Sequence, residues 1–236
     1  TALDMAGVDA GAQQVTFQGL DRPAVDGTPA FVKALDVDHA RDGEVMLAYQ
    51  MNGADLPLLN GFPLRLVVPG WYETYWVKHL SEITLVEEPF DGFFMKSAYR
   101  IPDNDCACLE AGGAETATRP ISRLNLRSFI TNIADGDSVE AGRRLIRGIA
   151  FDGGSGIKGV EVSSDDGASW SEASLGEDLG AYSFRQWWAS LTLTPGAHVL
   201  KVRATGAGGE TQPADALWNP RGYMRNVVEA VHVAAN

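Results

Sequence analysis

Apolar and polar positions change their rhythm partway along this chain. Beyond residue 120, short apolar runs recur: Ser128-Phe129-Ile130-Thr131, Leu145-Ile146-Arg147-Gly148-Ile149-Ala150, Gly159-Val160-Glu161-Val162-Ser163, Trp187 to Leu193, and His198-Val199-Leu200-Lys201-Val202-Arg203. Asp152-Gly153-Gly154, Asp166-Gly167 and Pro195-Gly196 separate them. Such spacing predicts an all-β domain, because Gly, Asp and Pro supply the backbone angles of tight turns. Before residue 102 the pattern is mixed. The opening Thr1 to Val8 reads as a helix under way, and Val15-Thr16-Phe17 alternates like a strand. Leu64 to Val68 is a strand bracketed by Pro63 and Pro69-Gly70, and Trp76 to Val86 leads into another. Val45 to Met51 is so uniformly apolar that buried strand and helical turn both stay open.

Between Pro102 and Pro120 long apolar side chains nearly vanish, which predicts a linker. Two domains follow: a mixed α/β piece over residues 1–118 and a β-sandwich of immunoglobulin type over 119–236, α+β overall. Cys106 and Cys108 both precede the sandwich strands, so its core must rest on apolar packing. Trp170, Trp187, Trp188 and Trp218 are expected to be its largest members. The two cysteines stand one residue apart, where a bridge closes a strained ring and no further metal ligands are grouped. They read as structurally incidental. His39, His79, His198 and His232 are scattered, without metal-type spacing.

Composition permits a packed core: 236 residues, 45% hydrophobic and 21% charged. The net charge of −12 would repel a phosphate backbone, so nucleic acid is not expected as a partner. That acidity either aids solubility or steers a basic partner such as a small cytochrome. No apolar run approaches the roughly 18 residues of a membrane helix. Phosphate-loop, nucleophile-elbow and His-Glu-x-x-His motifs are missing, and Gly153-Gly154-Ser155-Gly156 lies between strands, where it reads as a turn.

Longer motifs are more informative. Gln18-Gly19-Leu20-Asp21, Leu47-Ala48-Tyr49-Gln50-Met51-Asn52-Gly53, Leu56-Pro57, Asn60-Gly61-Phe62-Pro63-Leu64-Arg65-Leu66-Val67-Val68-Pro69-Gly70 and Trp76-Val77-Lys78-His79-Leu80 follow one another. In this order they resemble the molybdopterin domain of sulfite oxidases. Asp165-Asp166-Gly167-Ala168-Ser169-Trp170 and Trp218-Asn219-Pro220-Arg221-Gly222-Tyr223 are similar to that family's dimerisation domain. The resemblance implies a molybdenum–molybdopterin cofactor. Arg65 and Lys78 suit its phosphate, since both make charge-assisted bonds. Asp21 would accept from the pterin ring, and backbone groups of Trp76 and Val77 would complete the cradle. Asn60 stands where the family commonly has His; an amide donates and accepts but carries no charge.

Tyr99, in Lys96-Ser97-Ala98-Tyr99-Arg100-Ile101-Pro102, matches the family's active-site tyrosine. Arg221 matches an arginine turned toward the anion pocket, or else it braces the Asn219-Pro220 turn. The molybdenum-ligating cysteine is expected upstream of Thr1, and Cys106 and Cys108 do not match it, so the chain alone is not expected to be active. The implied reaction is oxidation of sulfite to sulfate in a periplasmic homodimer. No Cys-x-x-Cys-His is present, so electrons are expected to pass to an external cytochrome c-type acceptor. A sulfane dehydrogenase subunit and a non-catalytic dimerisation fragment are the rival readings, with eukaryotic nitrate reductase behind them.

Overall fold

A computed structural model describes residues 2–23, 25–114 and 117–236. The chain divides into two compact units, Thr1–Asp103 with Ala114–Ser122, and Asn104–Gly113 with Arg123–Asn236.

The first unit is built mainly of strands: β1 (Gln14–Gly19), β2 (Val32–Asp36), β3 (Met46–Ala48), β4 (Gln50–Met51), β5 (Ala54–Asp55), β6 (Arg65–Val67), β7 (Leu80–Val86), β8 (Arg100–Pro102) and β9 (Thr118–Pro120). Its helices are single turns: α1 (Ala2–Ala6), α2 (Val37–Ala40) and α3 (Phe93–Lys96). The expected mixture of helix and strand is thus weighted heavily to strand. A three-stranded antiparallel sheet in the order β2-β1-β7 forms its centre. Val15, Phe17 and Leu35 bury their side chains there. The ambiguous run at 45–51 resolves into β3, paired with β6, and β4, paired with β5 across Asn52-Gly53. Both turn residues have positive φ, as a tight hairpin requires. Met46 and Met51 are exposed, so this run is neither the buried strand nor the helical turn that its composition left open.

The stretch between 102 and 120 is not a plain linker. Its ends pair with each other as β8 and β9, while residues 104–113 belong to the second unit. The chain therefore passes between units three times, near 103, 113 and 122.

The second unit contains β10 (Arg127–Ile130), β11 (Ser138–Val139), β12 (Gly142–Phe151), β13 (Ile157–Ser163), β14 (Ser171–Glu172), β15 (Ser174–Leu175), β16 (Arg185–Leu193), β17 (Gly196–Gly206) and β18 (Ala230–Ala235). They form a four-stranded sheet, β10-β12-β16-β15, and a five-stranded sheet, β11-β18-β17-β13-β14. Ile146, Trp187, Leu193, Val162, Leu200 and Val233, drawn from both sheets, make one core. Of the four tryptophans expected in it, only Trp187 is inside, at 1% exposure. Successive strand residues face opposite ways, so Trp188 is 41% exposed. Trp218 lies exposed outside the strands, and Trp170 carries the Arg203 guanidinium 4.2 Å above its ring.

Candidate functional site

The turn at Leu58–Gly61 gathers most of the residues singled out from sequence. Gly61 sits at φ 107, where a side chain is strained. A Cβ there would lie 3.1 Å from the Cβ atoms of both Arg65 and Lys78. The two cationic stems therefore flank a single glycine. Arg65 leaves the start of β6; its Nη1 donates to the Asn60 carbonyl at 3.1 Å and its Nη2 to the Trp76 carbonyl at 3.3 Å. Among the described residues, its Nε is buried without a partner, which is costly for a charged group. Lys78 is exposed and reaches back to the Leu59 carbonyl at 2.8 Å.

Asp21 belongs to the same corner. A Cβ on Gly19 would fall 2.6 Å from Asp21 Oδ1 and 2.6 Å from the Lys78 carbonyl oxygen, so only glycine fits between them. Trp76 anchors its indole by Nε1 donating to the Val68 carbonyl at 2.8 Å. Val77 departs from expectation: its side chain is in the core, its N–H donates to Tyr75 and its carbonyl accepts from Leu66. The Trp76 N–H is likewise donated to Glu73. These backbone groups close the local turn before any ligand arrives. His79 is a neighbour that sequence reasoning left aside. It adopts φ 49, and its Nδ1 lies 2.7 Å from the Phe62 carbonyl. Its place inside the Trp76-to-Leu80 motif was the signal.

Tyr99 also adopts a left-handed backbone, φ 55, between α3 and β8. Its carbonyl accepts from Ile121 at 2.8 Å. The half-buried ring meets Phe31 edge-on at 6.4 Å and Phe94 at 6.1 Å between centroids. Below it lies Lys33, which sequence reasoning missed. This lysine is fully buried, donates to the Phe94 carbonyl at 2.8 Å, and places Nζ 4.2 Å from the Tyr75 ring centre and 5.4 Å from that of Tyr99. Burial, with the Arg100 charge nearby, lowers it to about 7. Burial pushes the Tyr75 phenol up, and its hydroxyl donates to the Ile121 carbonyl at 2.7 Å.

In the second unit, Arg221 is exposed, and the turn beside it is braced by Asn219. Asn219 Oδ1 accepts from the N–H groups of Arg221 at 3.3 Å and Tyr223 at 3.1 Å, and Nδ2 donates to the Tyr223 carbonyl at 2.8 Å. Only the backbone of Arg221 takes part in these bonds. Cys106 and Cys108, read as incidental, are joined in a disulfide. Among the described residues, no three His, Cys, Asp or Glu side chains are grouped to hold a metal ion.

Comparison with known proteins gives this geometry a family. The oxidoreductase molybdopterin binding domain matches residues 1–94, and the Mo-co oxidoreductase dimerisation domain matches residues 118–236. Mitochondrial sulfite oxidase of Homo sapiens is 34% identical over 93% of this chain and 42% of its own length. Sulfite oxidase of Arabidopsis thaliana is 30% identical over 93% of this chain and 59% of its own. The fold is similar to that of the sulfane dehydrogenase SoxCD from Paracoccus pantotrophus, with a TM-score of 0.81, 23% identity, and coverage of 97% of this chain and 57% of that one. The two domain matches define the molybdopterin oxidoreductase class. More narrowly, the chain belongs to the sulfite oxidase family, whose cofactor is molybdenum carried by molybdopterin. The chain spans about half the length of the relatives it matches.

Proposed function

We propose that this chain supplies the pterin-phosphate clamp, a substrate-facing tyrosine and the dimerisation domain of a sulfite-oxidising enzyme. The observation that carries the reading is the convergence of Arg65 and Lys78 on Gly61, with Arg65 Nε buried and partnerless. A buried guanidinium N–H with no acceptor suits an incoming phosphate oxygen, and Lys78 can exchange the Leu59 carbonyl for the same anion. Asp21 would accept from ring N–H groups and Asn60 would offer its amide. When bound, the cofactor supplies the two-electron redox step that turns sulfite into sulfate. Tyr99 would hold an oxygen of the substrate by a neutral hydrogen bond, and Arg221 would add positive charge for the anion.

The dimerisation domain supports a homodimer through the second unit, which we read as an immunoglobulin-type sandwich. A cytochrome c-type protein is the proposed electron acceptor. The Cys106–Cys108 disulfide supports an oxidising compartment, here the periplasm. Bonded to each other, these cysteines offer no thiolate to a metal.

Two variants of the full-length enzyme test this reading together. Arg65→Gln should lower retained pterin roughly ten- to a hundredfold, as loss of a charge-assisted bond predicts. Tyr99→Phe should keep its molybdenum and pterin but lose roughly two- to tenfold in kcat/KM for sulfite. Normal pterin content in Arg65→Gln would remove the clamp. An unchanged kcat/KM in fully loaded Tyr99→Phe would make that tyrosine structural, and turnover of sulfane sulfur in place of sulfite would reassign the substrate.

A further inference from the structure

The loop over residues 104–113 carries a disulfide closed across a single residue, and nothing in the proposed chemistry uses it. Ala107, between the two cysteines, is held at φ 51, a left-handed conformation that an alanine rarely adopts. A ring this short constrains little chain entropy in the unfolded state, so its closure contributes little to stability. Cys106 is exposed and Cys108 half-buried. A structural disulfide is ordinarily placed the other way, out of reach of thiols and spanning a long loop.

The ring is also coupled to the turn that bears Arg221. Asn104 clasps Cys108 from both sides, Nδ2 donating to its carbonyl at 2.9 Å and Oδ1 accepting from its N–H at 3.2 Å. The next residue, Leu109, donates its N–H to the Trp218 carbonyl at 2.8 Å. Cys106 and Ala107 line one side of a small cleft, about 30 Å³, that Leu217, Asn219 and Tyr223 line from the other.

We propose that the Cys106–Cys108 disulfide is a thiol–disulfide exchange site that accepts electrons from a thiol reductant, and that its opening loosens the Trp218–Tyr223 turn. A thiolate of the reductant attacks Sγ of Cys106, the more exposed residue of the pair. The bond to Cys108 breaks, and Cys108 Sγ leaves with the electron pair and takes a proton. A second thiol, from the same dithiol or from a second monothiol molecule, then displaces Cys106, which is protonated in turn. Two electrons and two protons reach the pair, and the reductant is oxidised to its own disulfide.

The full-length protein, exposed separately to millimolar reduced glutathione and to a reduced Cys-x-x-Cys protein, would be trapped with an alkylating agent and weighed by mass spectrometry. Alkylation of both Cys106 and Cys108 is expected, together with at least tenfold faster amide exchange in peptides covering 104–113 and 216–227. Reaction with glutathione supports a small-thiol source, and reaction with the protein dithiol alone supports a protein source. A pair that stays closed in both, under conditions that leave the chain folded, overturns the site. Alkylation with unchanged exchange in 216–227 overturns the coupling. Cys106→Ser/Cys108→Ser, which mimics the open state, should show the same fast exchange without any reductant.

Discussion

Lys33 sits in a costly environment for a cation. A lysine with no solvent exposure keeps its charge only at the expense of desolvation, and here it drops to about 7. Between that value and the ordinary 10.5, the unfolded chain holds a proton that the folded chain has released. Stability attributable to this group therefore rises with pH from about 7 to 10.5, by up to roughly 1.4 kcal/mol per pH unit. Lys33→Met should remove that slope, so urea unfolding from pH 6 to 9 should show the variant gaining on the parent toward low pH. Parallel curves for the two proteins would mean that Lys33 titrates normally. Nothing in Phe31-Val32-Lys33-Ala34-Leu35 announces this burial, because the partners Tyr75, Phe94 and Tyr99 arrive from distant positions. Arg65, Lys78 and Asp21 were legible for the opposite reason. Arg65 and Asp21 each sit inside a local motif whose glycine, Gly61 or Gly19, fixes the geometry, and Lys78, in the Trp76-to-Leu80 motif, packs against both glycines.

Among the elements, β12 and β16 show how a strand reading gains its physical content. Gly148 takes an inward-facing position of β12 between buried Ile146 and Ala150, and it pairs directly with Trp187. A Cβ at 148 would stand 2.1 Å from the Phe129 carbonyl oxygen and 2.2 Å from the Trp187 ring. Neither the β10 backbone nor a fully buried indole has room to yield. Gly148→Ala should therefore destabilise the second unit by about 2 kcal/mol or more, measured as a lowered denaturation midpoint. Trp188→Ala, on the opposite face, should cost far less; equal losses would contradict the assignment of faces. Strands such as β12, β13, β16 and β17 were visible because apolar alternation and flanking turns agree. β2 and β18 were not, since short runs like Val32–Asp36 and Ala230–Ala235 lack clear turn punctuation. The disulfide was missed because ring strain was weighed without the Asn104 clasp that closes the loop around it.

At the scale of the whole molecule, the charge of −12 bears on the proposed electron acceptor. Opposite charges raise encounter rates, and salt screens them over a Debye length of about 10 Å at 0.1 M. With a basic cytochrome, kcat/KM of the full-length enzyme should fall as ionic strength rises. With an anionic small-molecule oxidant it should rise or stay level. A flat profile with the cytochrome would leave the acidity as a solubility feature. Among the described residues, no helix is long and apolar enough to cross a membrane.

The triple passage of the chain between its two units also governs how genes of this family can be recombined. A single splice at residue 118, where the dimerisation domain begins to match, would take residues 104–113 from one parent and the Trp218 turn from the other. The Leu109-to-Trp218 bond and the cleft lined by Cys106 would then join surfaces that had never been selected together. A faithful exchange needs three junctions, near 103, 113 and 122, carrying the short loop along with the sandwich and leaving β9 behind. A chimera joined only at 118 should therefore unfold at lower denaturant than one joined at all three places.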